Sequence, residues 1–578
     1  MQADLVLLHP PAFFDFRDRE DILFPYLSTS GDVPITPLYE YFPLGFKTLQ
    51  RYLGERGHSV RIVNLASTML RYPSLDVTAF LGSIEAKVFG IDLHWMVHVQ
   101  GALAVAALLS RLHPEIPVLF GGISATYYAD ELLRYPQVDM VLAGYDTHEP
   151  AAILLDELSG ERRFARVPNL CWKDPESGEV RANPFDHKPS TFACGIDWSV
   201  QPASDPANKL PILEILSTQN AGCAYNCNWC GGSREAFRRV MKRQKAMARK
   251  PREEVAWEFG TIRSLAGREK YHFYSVGSYN ETPERLSAFL DLVGEAGFRS
   301  VSYEQFFLTP EPLLRRMAAA NPRTTITLSP ESHDLGVAKL AGRGVYTMEE
   351  LEEWCERALD LGIFQIDVWF FIGMQEQTRE SALATVDYCG KLLRRFRGRN
   401  VNPLVCPMIP FLDPASTFFE EPEKYGYEVH FRTVEEHRRG MENLSLLDRI
   451  NYSTRWLSRR NLVVTGYEAV CRLFEQKGEH GALPRGVATN AAAKGRESLE
   501  FLLAVDAASR LTDPLARARE LASLGPEIRR RNGEIFGGAV SNQAFPIDRR
   551  IGGRWFDEIP DIDELQPALA PAAGLVRP

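Results

Sequence analysis

The chain has 578 residues, 45% hydrophobic and 24% charged, the proportions of an ordinary globular protein with length for three or four domains at roughly 150 residues each. Its 66 Lys and Arg against 75 Asp and Glu leave a formal net charge of −9, which argues against a general nucleic-acid binder, a class that is normally basic. It has no run of eighteen or more apolar residues, and the opening Met1–Pro11 carries an acid, no basic segment and too short an apolar run for a signal peptide. Neither a membrane span nor export is therefore expected, and the reducing cytoplasm is the expected compartment.

The first 160 residues or so alternate strand and helix patterns. Asp4–His9 reads as a buried strand ending at Pro10-Pro11, and Pro43–Gly57 as an amphipathic helix with Leu44, Phe46, Leu49 and Leu53 among its apolar positions. Ser59–Val63 and Lys87–Asp92 are further strands, and Ala102–Leu112 a helix. Val118–Phe120 runs into Gly121-Gly122, and Val138–Leu142 into Gly144. Strands separated by helices predict a parallel, doubly wound α/β sheet that takes ligands at the carboxyl ends of its strands. The turns Gly121-Gly122-Ile-Ser124-Ala-Thr126 and Gly144-Tyr145-Asp-Thr147 would let backbone approach a ligand closely. Residues 161–210 read as a connector, with a hairpin over Val167–Gly178 and a loop over Ala203–Asn208.

Cys223, Cys227 and Cys230 follow in a C-x3-C-x2-C spacing. Three thiolates on one short loop can hold three corners of a four-iron cluster and leave the fourth iron open. A structural zinc site wants four ligands, and the next cysteines, Cys194 and Cys355, are far away in sequence. A disulfide with a spare thiol would suit a secreted protein. The six other cysteines are scattered singly and read as small buried hydrophobes. The basic run from Arg238 to Lys250 is either a solvated helix face, the favoured reading, or a dock for an acidic electron donor.

Residues 211–410 again alternate, with strands at Ile212–Ser217, Lys270–Val276 ending at Gly277, Ser300–Phe306, Thr324–Ser329 and Gln365–Ile372. Residues 411–558 read as mostly helical, from Val434 to about Gln476 and from Glu497 to about Arg531, and residues 559–578 as a disordered tail rich in Pro and Ala.

The cysteine spacing, with aromatic Trp229 before the last cysteine, is similar to the signature of the radical S-adenosylmethionine (SAM) enzymes. The Pro-Pro, Gly-Gly and Gly turns after the first, fourth and fifth strands resemble the cobalamin-binding domain found in front of one large class of them. The resemblance implies a Rossmann-like cobalamin-binding domain over 1–160, a partial (β/α)6 barrel over 211–410 and a mainly helical C-terminal region. It implies three cofactors: a [4Fe-4S] cluster on Cys223, Cys227 and Cys230, SAM and cobalamin. For SAM it points to Trp229 at the adenine, Gly277 where many members have Gly-Gly-Glu, the element Ser329-Pro-Glu331-Ser332 and the glycine loop at Gly373. For Glu331 the alternative is an ordinary helix N-terminal acid.

For cobalamin the resemblance points to Gly121, Gly122, Ser124, Thr126, Gly144, Tyr145 and Thr147, and, beneath cobalt, to Leu93, His94 and Trp95. Asp92-x-His94 begins the cobalt-ligating motif of the wider cobalamin family but lacks its glycine. His94 either ligates cobalt or packs beside Trp95, and packing is the expectation. Four further stretches (Gly90–Trp95, Gly121–Tyr127, Ser329–Asp334 and Pro410–Ser416) resemble the subgroup that includes the C-methyltransferase of aminocoumarin antibiotic biosynthesis, which methylates a pyrrole carbon. The implied activity is transfer of a methyl group from SAM via methylcobalamin to a carbon of a small natural-product-type molecule, with a flavodoxin or ferredoxin as reductant. Asp413, Tyr425, Tyr427, Tyr452 and Trp456 would cap the gap between the two domains, or form interdomain core. An oxidative cyclisation or rearrangement, and a noncatalytic cobalamin sensor, are the competing readings. Methylthiolation of RNA or protein is disfavoured, because the N-terminal part lacks the three further cysteines of a second cluster.

Overall fold

The computed structural model describes residues 2–27, 37–40, 43–192, 194–199, 214–265, 271–407 and 412–540. The predicted loop at 203–208 and the predicted tail at 559–578 lie outside the described residues, as do 212–213, Lys270 and Pro410.

The first sheet has strand order β2-β1-β3-β4-β5-β6-β7, from β1 (Gln2–His9), β2 (Val60–Asn64), β3 (Glu85–Asp92), β4 (Val118–Gly121), β5 (Met140–Leu142), β6 (Leu170–Lys173) and β7 (Val180–Ala182). The first five are parallel and the last two antiparallel. Both faces are apolar, as a parallel sheet between two helical layers requires. Leu5, Leu7, Ile62, Val88 and Leu119 pack with Phe46, Leu53 and Leu155 on one side. Val6, Leu8, Val63, Phe89 and Phe120 pack with Leu103, Val105 and Leu109 on the other. The hairpin expected in the connector is β6–β7, and it extends this sheet, because Met140–Leu142 pairs antiparallel with Leu170–Trp172. At Gly101 a Cβ would lie 1.8 Å from the Pro11 carbonyl oxygen, so a bare backbone there lets the helix Val99–Leu112 close on the loop after β1.

The second sheet is the partial barrel. Its strands are β8 (Glu214–Thr218), β11 (His272–Val276), β12 (Ser300–Gln305), β13 (Thr324–Glu331), β14 (Gln365–Ile372) and β15 (Val401–Pro407), all parallel, in the order β15-β14-β13-β12-β11-β8. β9 (Asn220–Gly222) and β10 (Met247–Arg249) form a small antiparallel pair beside the cysteine loop. Ile215, Phe273, Val301, Ile326, Ile366 and Val368 pack against the surrounding helices. Residues of the other parity, among them Ser300, Ser302, Thr325, Asp367 and Asn402, are buried and polar. The mixed architecture is the predicted α/β class.

The C-terminal region is helical but interrupted. β16 (Tyr427–Val429) and β17 (Tyr452–Thr454) pair across the expected helical stretch. Long helices follow at Arg459–Glu479, Arg485–Ser509 and Pro514–Val540. The last of these reaches back to the first domain. Asn532 Oδ1 accepts from Phe24 N at 3.0 Å, and its Nδ2 donates to the carbonyls of Ile22 at 2.8 Å and Arg19 at 3.2 Å. Among the described residues no helix is long and apolar enough to cross a membrane.

Candidate active site

The cysteine loop leaves β9 and ends in the helix Arg234–Val240, which Ser233 caps. Cys223 and Cys227 are buried, Cys230 is half-buried, and all three are free thiols. Neighbours fix the loop at both ends. Asn280 Oδ1 accepts from Ala224 N at 2.9 Å and lies 3.5 Å from Cys223 Sγ. Asn228 N and Nδ2 donate to the carbonyls of Ala341 and Leu340, and Gly231 N donates to Asp413 Oδ2 at 2.9 Å.

Two amides donate to sulfur: Tyr225 N to Cys223 and Gly232 N to Cys230, each at 3.3 Å. Burial pushes the Cys227 thiol up to about 12 and raises Cys223 and Cys230, while the positive charge of Arg343 favours the thiolates of Cys223 and Cys227. Such sulfurs need a cationic partner to stay ionised. Among the described residues no three His, Cys, Asp or Glu converge as ligands of one metal ion do. A four-iron cluster does not require that, because each thiolate binds a different iron. The three thiols with their amide donors fit a cluster.

Around the loop lie the residues predicted for SAM. Trp229 packs 5.6 Å from the Phe371 ring of β14, and its buried indole N–H has no acceptor. Gly277 stands at the end of β11 with φ 70°. Its N–H donates to Glu304 Oε2 at 2.8 Å. Glu304 is also bonded by Tyr274 OH, and burial raises its pKa. Glu304, on the strand beside β11, thus holds the Gly277 turn in place, a contact between strands that a strand-by-strand reading of the sequence does not show.

At the end of β13 the register shifts between Leu328 and Glu331, and Glu331 adopts φ 71°, a conformation that costs a non-glycine residue energy. Its fully buried carboxylate accepts from Arg343 Nε at 3.0 Å, while Oε2 is left without a partner. Glu331 is therefore one half of a buried ion pair and not an exposed helix-terminal acid. Arg343 also lies over Phe306, 3.0 Å from the ring centroid, and Phe306 stacks on Tyr279. Ser332 Oγ accepts from Asp334 N, and Ser329 is half-buried on the same strand end. At Gly373 (φ 97°) a Cβ would lie 2.5 Å from Tyr452 OH. The bare backbone there makes room for the C-terminal region, whose Tyr427 OH donates to the Gly373 carbonyl at 2.9 Å.

The cobalamin candidates gather at the carboxyl ends of β3, β4 and β5. Leu93 N donates to the Gly121 carbonyl and Ala125 N to the Leu93 carbonyl. Ser124 Oγ donates to the His94 carbonyl. Thr126 Oγ1 donates to the Gly122 carbonyl and accepts from Gly144 N. Thr147 precedes the helix His148–Ser159. Tyr145 turns toward the cysteine-loop side, 5.3 Å from Phe237 and 4.8 Å from the Arg243 guanidinium.

His94 Nδ1 donates to Asp92 Oδ2 at 2.6 Å, and His9 Nδ1 to Asp92 Oδ1 at 3.0 Å. Burial works against the Asp92 carboxylate, but the two imidazoles hold it well below the usual carboxylate range. His94 also lies against Trp95, which is 41% exposed, and His98. Of the basic run, Arg238, Lys242 and Lys245 are exposed. Arg239 donates to the Ala415 carbonyl, and Arg243 lies on Tyr145, so part of the run is interdomain contact.

Residues 32–154 match the family model described as "B12 binding domain". No curated protein sequence matches the chain. Among solved structures, the radical SAM methyltransferase TsrM from Kitasatospora setae with cobalamin and a [4Fe-4S] cluster bound is 15% identical, covering 86% of this chain and 100% of that one with a TM-score of 0.54. The same enzyme with tryptophan and a SAM analogue bound is 16% identical over 74% of this chain and 79% of that one, with a TM-score of 0.49. The fold is thus shared with a cobalamin-binding radical SAM methyltransferase, with the B12-binding match lying in front of the partial barrel. TsrM shares the fold over 86% of this chain and the whole of its own.

Proposed function

We propose that the chain is a cobalamin-dependent radical SAM C-methyltransferase acting on a carbon of a small, planar, natural-product-type molecule, in antibiotic-type biosynthesis in the cytoplasm with a flavodoxin or ferredoxin as reductant. The observation that carries this reading is the three-thiol loop with amide donors on two sulfurs, in a chain whose front domain matches the B12-binding model. When bound, the cluster and SAM supply one-electron and radical chemistry, and cobalamin carries the methyl group.

Cys223, Cys227 and Cys230 would hold the cluster. Trp229, Gly277, Ser329, Glu331, Ser332 and Gly373 would shape the SAM site, with Trp229 offering an unpaired indole N–H. Leu93, His94, Trp95, Gly121, Gly122, Ser124, Thr126, Gly144, Tyr145 and Thr147 would form the cobalamin cradle. Asp92 holds the His94 ring by Nδ1 and leaves Nε2 open, an arrangement a ligating histidine also has; its contacts with the Trp95 and His98 rings are what support a packed His94. Tyr427 and Tyr452 close the C-terminal region onto the barrel at Gly373.

The test is metal and cofactor content of protein reconstituted without oxygen. About four irons and one cobalamin per chain are expected, with the iron lost in Cys223→Ala. Protein that takes up iron but no cobalamin would overturn the methyl-transfer reading.

A further inference from the structure

Arg449 ends the short helix Leu446–Arg449 and heads the fully buried side chains by volume. Its Nη2 donates to the Leu23 carbonyl, while Nε and Nη1 meet no acceptor. Among the described residues no carboxylate is paired with it. Its surroundings are the rings of Phe13 and Phe24, at 5.5 and 5.9 Å from the guanidinium carbon, and the phenols of Tyr39 and Tyr467. Burial raises both phenols, Tyr467 to about 12, so they are neutral. Burial pulls Arg449 down to about 10, still charged at neutral pH. Two rings at those distances offset only part of the cost of burying a cation, and a guanidinium has five donors to satisfy.

Phe13, Leu23, Phe24 and Tyr39 belong to the segment that follows β1 in the first domain. On the other side, Asn451 exchanges hydrogen bonds with the Leu412 backbone just past β15, and Tyr452 sits at Gly373 past β14. Arg449 therefore stands between the front domain and the mouth of the barrel.

We propose that Arg449 is the anion receptor of the substrate site and that the substrate is a small planar carboxylic acid, its carboxylate gripped by the free donors of the guanidinium. A planar fork matches a carboxylate in two parallel hydrogen bonds, and exclusion of water strengthens them. The inference rests on the function proposed above only for placing substrate between the two domains. The phosphate of cobalamin is a less fitting anion, because the cobalamin candidates follow β3, β4 and β5, whereas the neighbours of Arg449 follow β1, beyond β3 in the sheet.

The test uses reconstituted protein with its iron and cobalamin measured. Thermal unfolding and titration are followed with benzoate, pyrrole-2-carboxylate and indole-3-carboxylate, each against its neutral carboxamide. At least one acid, and not its amide, is expected to stabilise the wild type. Arg449→Met should weaken that acid about tenfold or more, keep its cobalamin and iron, and melt no lower than the wild type without ligand. Arg449→Lys, which keeps the charge but loses the fork, should fold and bind the acid more weakly.

No discrimination between acid and amide in the wild type would overturn the proposal, as would an undiminished acid effect in Arg449→Met. A lower melting temperature of ligand-free Arg449→Met would assign the residue to packing, and loss of cobalamin in that variant would assign it to the cofactor. Normal iron and cobalamin with no preference for acids would sink this inference alone and leave the proposed reaction standing.

Discussion

Glu331 and Arg343 are bonded at 3.0 Å with both side chains shut from water, directly behind the cysteine loop. Removing one partner of a buried pair leaves an uncompensated charge and costs about 3–5 kcal/mol. Arg343→Met should therefore destabilise the protein by that amount and lower its iron retention. The double variant Arg343→Met/Glu331→Met should recover most of the stability. A double-mutant cycle by denaturant unfolding checks this, and additive losses would deny the coupling.

Acid should weaken the contact between the first domain and the C-terminal region through His437. The ring is buried among Tyr128, Phe419 and Phe431, and burial lowers its pKa from 6.5 to about 4. Below 6.5 the unfolded chain binds a proton that the folded protein refuses, so stability falls as pH drops from 6.5 to about 4. At about 1.4 kcal/mol per pH unit the loss is about 3 kcal/mol. His437→Phe should remove that part of the acid sensitivity, read as a flatter melting temperature between pH 4 and 6.5.

Lys47 gives a dependence of the same sign at alkaline pH. It is buried beneath Trp198, and burial lowers it from 10.5 to about 8. Between those values the unfolded chain holds the proton and the folded protein has released it, so stability rises with pH across that window. Below pH 8 the folded protein carries the whole cost of the buried charge. Lys47→Met should raise stability at pH 7 by about 2–3 kcal/mol and abolish the alkaline rise, which urea unfolding at pH 7 and pH 10 would show.

Gly122 tests the cobalamin cradle. Its φ is 112°, and a Cβ there would lie 2.8 Å from the Leu93 carbonyl. Gly122→Ala should strain the turn by about 1–3 kcal/mol and push the loops after β3 and β4 apart. Cobalamin per chain should fall while the circular dichroism of the fold is unchanged. Full retention of cobalamin would separate this turn from the cofactor.

What was legible in the sequence was mostly local. The cysteine loop spans eight residues, so its spacing shows on the page, and the β/α alternation needs only windows of ten to fifteen. What stayed hidden was long-range. Glu304 reaches Gly277 from the next strand, Arg343 meets Glu331 from beyond the intervening helix Leu335–Leu340, and His9 joins Asp92 from 83 residues away. β17 was read as helix because it is three residues long, too short to show a period of two, and its partner β16 lies earlier in the chain, outside that helical reading. The hairpin of the connector was visible, but its pairing to β5 was not, since pairing is a property of the sheet.

The bond from Phe24 N to Asn532 spans 508 residues of chain. On the ribosome, the loop after the first strand therefore waits for its last partner until almost the whole described chain has been made. The front sheet closes from residues 2–182, so in order of synthesis it is complete long before that clasp forms. Helix Pro514–Val540 thus acts as a late fastener, and a cofactor arriving during translation meets a cradle whose neighbouring loop has not yet been pinned.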